Sequence, residues 1–189
     1  MSLRKEGTFM TPALLVIDVQ HALCTGDEAA FEIEPVIARI NALSGAARAA
    51  GVPVVLIQHE EDEGALQFDT AGWQLAHGLA AAPGDLRVRK TASDSFHRTE
   101  LQTLLDARGV DHLVVCGLQT EYCVDTTVRR ALGLGYPVTL VADAHSTPGN
   151  AVLSAAQIIA HHNTTLKYMT SFGPRVAVMP AANVRFAAA

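Results

Sequence analysis

The stretch VVCGLQTEYCVDTTVRRAL, Val114 to Leu132, holds Cys116 and Cys123, two of the three cysteines in the chain. Their separation is not the C-x-x-C spacing of a redox dithiol. Nor does the stretch carry the further Cys and His partners that a structural zinc site needs at matching spacing. What remains open is whether both thiols are core or one of them is reactive. Cys116 closes an apolar run and reads as core, where a free cysteine behaves as a small hydrophobe. Cys123 stands at the start of a helical pattern, where the helix end favours an anion and lowers a thiol pKa. Its plain alternative is again a small core hydrophobe. Cys24 reads as a loop residue that lines, at most, the mouth of a site.

A reactive thiol needs a base and a countercharge, and the chain offers both at the ends of apolar runs. Leu14-Leu15-Val16-Ile17 stops at Asp18, and Leu86-Arg87-Val88-Arg89 stops at Lys90. Taken singly, Asp18 is a cap or turn residue and Lys90 a solvated charge, the usual fate of lysine. Val54-Val55-Leu56-Ile57 leads to His59, and Val138-Thr139-Leu140-Val141 leads to Asp143.

These runs alternate with helical spacing. Ile33, Val36, Ile37, Ile40, Leu43 and Ala47 recur on one helix face, with Gly51 placed as a C-terminal cap. Leu101, Leu104 and Leu105 mark a second helix, Val124, Val128, Ala131 and Leu132 a third, and Val152, Ala155, Ala156 and Ile159 a fourth. His112 to Cys116 and Val176 to Met179 complete about six strands. Strands apolar on both faces belong in a parallel sheet covered by helices on both sides. The expectation is a three-layer α/β fold, doubly wound and Rossmann-like, as one domain over residues 1–189 with a flexible leader over 1–10. In such sheets ligands bind at the carboxyl ends of the strands. Asp18, His59, Lys90, the Gly117 to Cys123 turn and Asp143 are thereby expected at one edge. The long segment from Glu60 to Asp85 reads as a lid or the carrier of a short helix. Within it, Glu60-Glu61-Asp62 reads as a solvated acidic loop.

Three stretches, LLVIDVQ, KTASDSFHRTEL and VVCGLQTEYCVDTTVRRALGLGYPVTLVADA, together resemble the isochorismatase-like cysteine hydrolase superfamily, which includes isochorismatases, nicotinamidases and N-carbamoylsarcosine amidases. The likeness covers most of the chain in the same order. Its most specific part is G-x-x-T-x-x-C-V at Gly117, Thr120, Cys123 and Val124. K-x-x-x-x-S-F-x-x-T-x-L at Lys90, Ser95, Phe96, Thr99 and Leu101 supports it. The resemblance implies a catalytic triad of Asp18, Lys90 and Cys123. It also implies a cis peptide at Leu118–Gln119, with backbone N–H groups of Gln119 and Cys123 as an oxyanion hole. The implied chemistry is thiolate attack on an amide carbonyl, a thioester, and release of the acid by water. The Asp-x-His metal motif of nicotinamidases has no counterpart in IQHEEDEG, so neither a metal nor another cofactor is expected. DVQHALC lacks the family's usual aromatic after DVQ. His59, Trp73, Phe96 and Tyr122 are expected pocket residues, with core filling an equal prospect for Trp73.

Composition narrows the partners. The chain has 189 residues, 49% hydrophobic and 17% charged, as an ordinary globular protein does. A net charge of −5 and the lack of a basic stripe argue against nucleic acid. No apolar run approaches the ~20 residues of a membrane helix. An odd, small cysteine count fits a reducing cytoplasm. The expected partners are a small-molecule substrate and further copies of the chain, as a dimer or larger homo-oligomer. Two other functions stay open at this level: hydrolysis of a vinyl ether, as an isochorismatase performs, and a non-catalytic binding domain that keeps the fold.

Overall fold

The computed structural model describes residues 10–186. The leader expected over 1–10 lies, but for Met10, outside the described residues. Six strands form one sheet: β1 (Pro12–Ile17), β2 (Val54–His59), β3 (Leu86–Lys90), β4 (His112–Leu118), β5 (Val138–Ser146) and β6 (Val176–Met179). Their order is β3-β2-β1-β4-β5-β6, and every pairing is parallel. The helices are α1 (His21–Cys24), α2 (Ile33–Ala49), α3 (Leu101–Asp106), α4 (Asp125–Gly133) and α5 (Ala155–Lys167).

Alternation along the strands builds a core on each face of the sheet. Leu15, Ile17, Val115 and Leu140 meet Leu101 and Leu105 of α3 and Val128 and Leu132 of α4. Leu14, Val16, Leu56 and Val114 meet Val36, Ile40 and Leu43 of α2. Both faces of the central strands β1, β2 and β4 are therefore dry, which is why they read as apolar runs, while the edge strand β3 exposes Arg87 and Arg89. The three-layer, doubly wound expectation agrees with this architecture.

The strand order reverses between β1 and β4, so their carboxyl ends diverge into helices on opposite faces and leave a crevice. Gly117 fixes how closely these two strands meet. It pairs with Ile17, has φ +116°, and a Cβ there would lie 2.1 Å from the Ile17 carbonyl oxygen. β5 runs on to Ser146, past a register shift opposite Val115 and Gly117. Asp143 consequently lies within a strand and does not close one. Its carboxylate stands 3.3 Å from Arg39 Nε and accepts from Ala181 N, away from the sheet edge where it was expected.

The segment from Glu60 to Asp85 contains no helix or regular strand. Gln20, fully buried, holds it down: its Nε2 donates to the carbonyls of His59 and Trp73, both at 2.9 Å, and its Oε1 accepts from His59 N. The expected acidic loop is only partly solvated, since Glu60 pairs with Arg89 at 2.6 Å.

Candidate active site

Each chemically useful side chain is set by a strand end. Asp18 follows β1 with φ +51°, in the left-handed region that aspartate tolerates better than most residues. The backbone turns there, and the carboxylate is 1% exposed. His59 and Lys90 end β2 and β3 and are register partners. Beyond β4 the Leu118–Gln119 peptide is cis. A π-helical turn, Thr120–Val124, follows and runs into α4. Cys123 stands in that turn, a residue or two before the regular helix that its spacing predicts.

Lys90 Nζ is the hub. It lies 2.7 Å from Asp18 Oδ2, 3.2 Å from Cys123 Sγ, 3.3 Å from His59 Nδ1 and 3.1 Å from the Ala92 carbonyl. An ammonium only donates, so His59 Nδ1 accepts and its proton resides on Nε2. Burial, and then the Lys90 charge, hold the His59 pKa below the ordinary imidazole value, which fits a neutral ring. The Lys90 side chain is 0% exposed. A charge so deep is tolerable only beside an opposite charge and further polar partners, and Asp18 with the Ala92 carbonyl supplies these. Burial pushes the Cys123 thiol up to about 12, the Asp18 charge pushes the same way, and Lys90 opposes both. The resting sulfur is thus a thiol beside a carboxylate and an ammonium.

The sulfur opens on a cavity of about 270 Å³ lined by Asp18, Leu23, His59, Glu61, Leu66, Ser93, Gln119, Tyr122 and Cys123. Of the expected pocket residues, His59 and Tyr122 line this cavity, and so does Gln119. Phe96 is not. It is 8% exposed and stacks on Tyr136 with centroids 6.1 Å apart, inside the core under α3 and α4. Trp73 does not line the cavity either: its ring packs edge-on against Phe68, and its carbonyl ties the 60–85 segment to Gln20 and Gln58. Cys116 is fully buried in the α2-side core, as expected. Cys24 packs against that core and is absent from the cavity lining, so it does not sit at the mouth. Leu23, Glu61, Leu66 and Ser93 escaped the sequence reading. Glu61 and Ser93 lie only two and three residues beyond His59 and Lys90, so extending each strand end by one turn would have found them.

Asp18, His59 and Cys123 each bring a ligand atom within 4.8 Å of the others, a spacing that suits a small cation. The Lys90 ammonium stands within 3.3 Å of all three side chains. A cation is thus already present at their centre, as part of the chain, and a divalent ion placed there would face it at contact distance. The residues do not fit a metal.

The family model of the isochorismatase domain matches residues 12–175. A streptothricin hydrolase from Streptomyces noursei is 46% identical over 136 residues, which are 71% of this chain and 49% of that protein, so the match spans about half of that relative's length. The ureidoacrylate amidohydrolase RutB of Stutzerimonas stutzeri is 32% identical over 174 residues, covering 72% of this chain and 70% of that protein. The crystal structure of a cysteine hydrolase from Pseudomonas syringae pv. phaseolicola superposes with a TM-score of 0.83 at 29% identity, covering 91% of this chain and 89% of that one. With its parallel sheet, its strand-end residues and these relatives, the chain belongs to the isochorismatase-like family of cysteine hydrolases.

Proposed function

We propose that the protein hydrolyses a small amide or related C–N bond through a thioester on Cys123, with Asp18 and Lys90 completing a triad and no metal taking part. The observation that supports this most is the placement of Lys90 Nζ within hydrogen-bond reach of both Asp18 and Cys123 at the cavity floor. A thiol held near 12 is a weak nucleophile, so its proton must leave as the substrate arrives. Asp18 takes that proton. Sulfur attacks the carbonyl carbon, and the tetrahedral oxyanion is met by the backbone N–H groups of Gln119 and Cys123. The C–N bond then breaks, and the amine leaves with the proton from Asp18. Water, deprotonated by Asp18, attacks the thioester, the acid is released, and the thiol regains its proton. Lys90 stays charged throughout and keeps carboxylate and sulfur in register.

His59 and Tyr122, on the cavity wall, are the substrate contacts in this reading, with the His59 Nε2–H as a donor. The relatives named for streptothricin and ureidoacrylate hydrolysis give the first compounds to assay. A cytoplasmic location and a homo-oligomer belong to the same proposal, the oligomer supported by exposed apolar side chains such as Val152, Tyr168 and Phe172. The test is a screen of small amides followed by mass spectrometry of the best substrate under quench. An acyl adduct on the Cys123 peptide, and a Cys123→Ala variant that folds but does not turn over, are expected. An adduct on Cys24, or a fully active Cys123→Ala enzyme, overturns the reading.

A further inference from the structure

We infer that His145 is a positioning residue for the Cys123 turn, acting through Thr120; this rests on the Cys123 reading above. His145 lies near the end of β5, is 1% exposed, and does not line the cavity that holds the sulfur. Its Nδ1 is 2.9 Å from Thr120 Oγ1 and its Nε2 is 3.0 Å from Asn163 Oδ1. Asn163 comes from α5, and its Nδ2 donates to the Ala142 carbonyl at 3.0 Å.

The direction of every bond in this chain follows from one backbone group. The Ala142 carbonyl only accepts, so the Asn163 nitrogen faces it and the Asn163 oxygen faces His145. That oxygen only accepts, so His145 carries its proton on Nε2. Nδ1 is then a bare lone pair, and the Thr120 hydroxyl must donate to it. Burial supports the neutral ring, pushing the His145 pKa down to about 4. Thr120 is itself fully buried, so no water replaces this partner.

Thr120 is the first residue of the π-turn and follows Gln119 directly. Gln119 O accepts from both Tyr122 N and Val124 N at 3.2 Å, one bond tighter and one wider than the four-residue spacing of a regular helix. Such a turn does not set its own geometry as an α-helix does. A buried side-chain bond from its first residue to an adjacent strand supplies the missing reference. It fixes the start of the segment that carries the proposed oxyanion donors, Gln119 and Cys123. Partners behind the ligands of metal centres typically contribute about 10–100-fold, and a misplacement of about 1 Å in a reacting geometry costs about 10²-fold.

The test uses p-nitrophenyl acetate as an acyl donor, with the p-nitrophenolate burst followed at increasing ester concentration. Thr120→Val keeps the shape and removes the donor; Thr120→Ser keeps the donor. Thr120→Val is expected to lower the saturating acylation rate about 10–100-fold, with half-saturation and iodoacetamide labelling of Cys123 within about threefold of wild type. Thr120→Ser is expected to restore the rate to within about threefold. In parallel, backbone hydrogen exchange over 119–124 needs no substrate. It is expected to speed up in Thr120→Val, return to normal in Thr120→Ser, and stay normal in α5 of both. Unchanged exchange over the turn, or a Thr120→Ser enzyme as slow as Thr120→Val, overturns the inference. Failure of the Cys123 reading shows separately: the wild type gives no burst, or Cys123→Ala keeps it.

Discussion

Acidification from pH 7 to pH 5 asks the fold to keep a proton off His145. Burial is the main reason the folded ring resists, the nearby His162 adds to it, and the Asn163 bond and Asp143 act the other way, for a net fall from 6.5 to about 4. The folded pKa lies below the unfolded one. The stabilisation is therefore present above 6.5 and is lost as pH falls through about 4. For a single group with these two values, linkage gives a loss of about 2 kcal/mol between pH 7 and pH 5. The perturbation is His145→Gln, which cannot titrate. Urea denaturation of both proteins at the two pH values isolates the effect, because His59 and His112, also held down by burial, titrate equally in each. The wild type is expected to lose about 2 kcal/mol more than the variant, a midpoint shift of about 1 M at a typical urea slope. The difference between proteins matters here, since the variant starts less stable. Equal losses in the two proteins would show that the ring is solvated or charge-paired, and the buried-network argument would fail.

Asp18→Asn should separate basicity from catalysis. Removing the carboxylate charge lowers the thiol pKa, so iodoacetamide labelling of Cys123 shifts to lower pH, while hydrolysis falls by about 10²–10⁴ for want of a base; parallel movement of the two readouts refutes the assigned role. Cys116→Ala, which deletes a sulfur 3.4 Å from the Leu15 carbonyl in a dry core, should cost about 1–2 kcal/mol by calorimetry and leave turnover intact at permissive temperature. Exhaustive chelation should leave activity unchanged; loss with rescue by zinc or manganese contradicts the placement of Lys90. Light scattering at assay concentration should report a dimer or larger species, and a fully active monomer ends the oligomer proposal.

β3 was readable by alternation, with Arg87 and Arg89 exposed on one face and Val88 and Lys90 buried on the other. The strand before Asp18 was readable because both its faces are dry, so an apolar run marks its length and the first charge marks its end. The same rule failed at β5. Beyond Val141 the chain reads Ala-Asp-Ala-His-Ser, and nothing in those letters says that the strand persists alongside β4 past a register shift. Asp143 was placed at the edge for that reason. Phe96 was misread because a motif position says that a residue matters and not whether it faces the pocket or the core. Thr120 was legible as a motif position, but its bond to His145 was not, since it joins residues in separate elements with no shared period, and only the packed rotamers bring them together. Lys90 was the reverse case: its strand-end position was legible, but its role as a buried hub for three other side chains emerged only with the geometry.

The absence of a Cβ at Gly117 has a bearing on how this protein can change. Because the Ile17 carbonyl would stand 2.1 Å from any side chain there, the two strand ends that launch Asp18 and the Cys123 turn are gauged backbone against backbone. Their separation does not depend on the size of any residue that drift or design might alter. The outer wall, by contrast, is made of side chains: Leu23, Glu61, Leu66, Ser93 and Tyr122. In the proposed reaction, substrate preference and reaction geometry are therefore written in different materials. A library confined to those wall positions should yield enzymes with new preferences and an undisturbed centre, while even alanine at position 117 would shift the reference from which the whole site is measured.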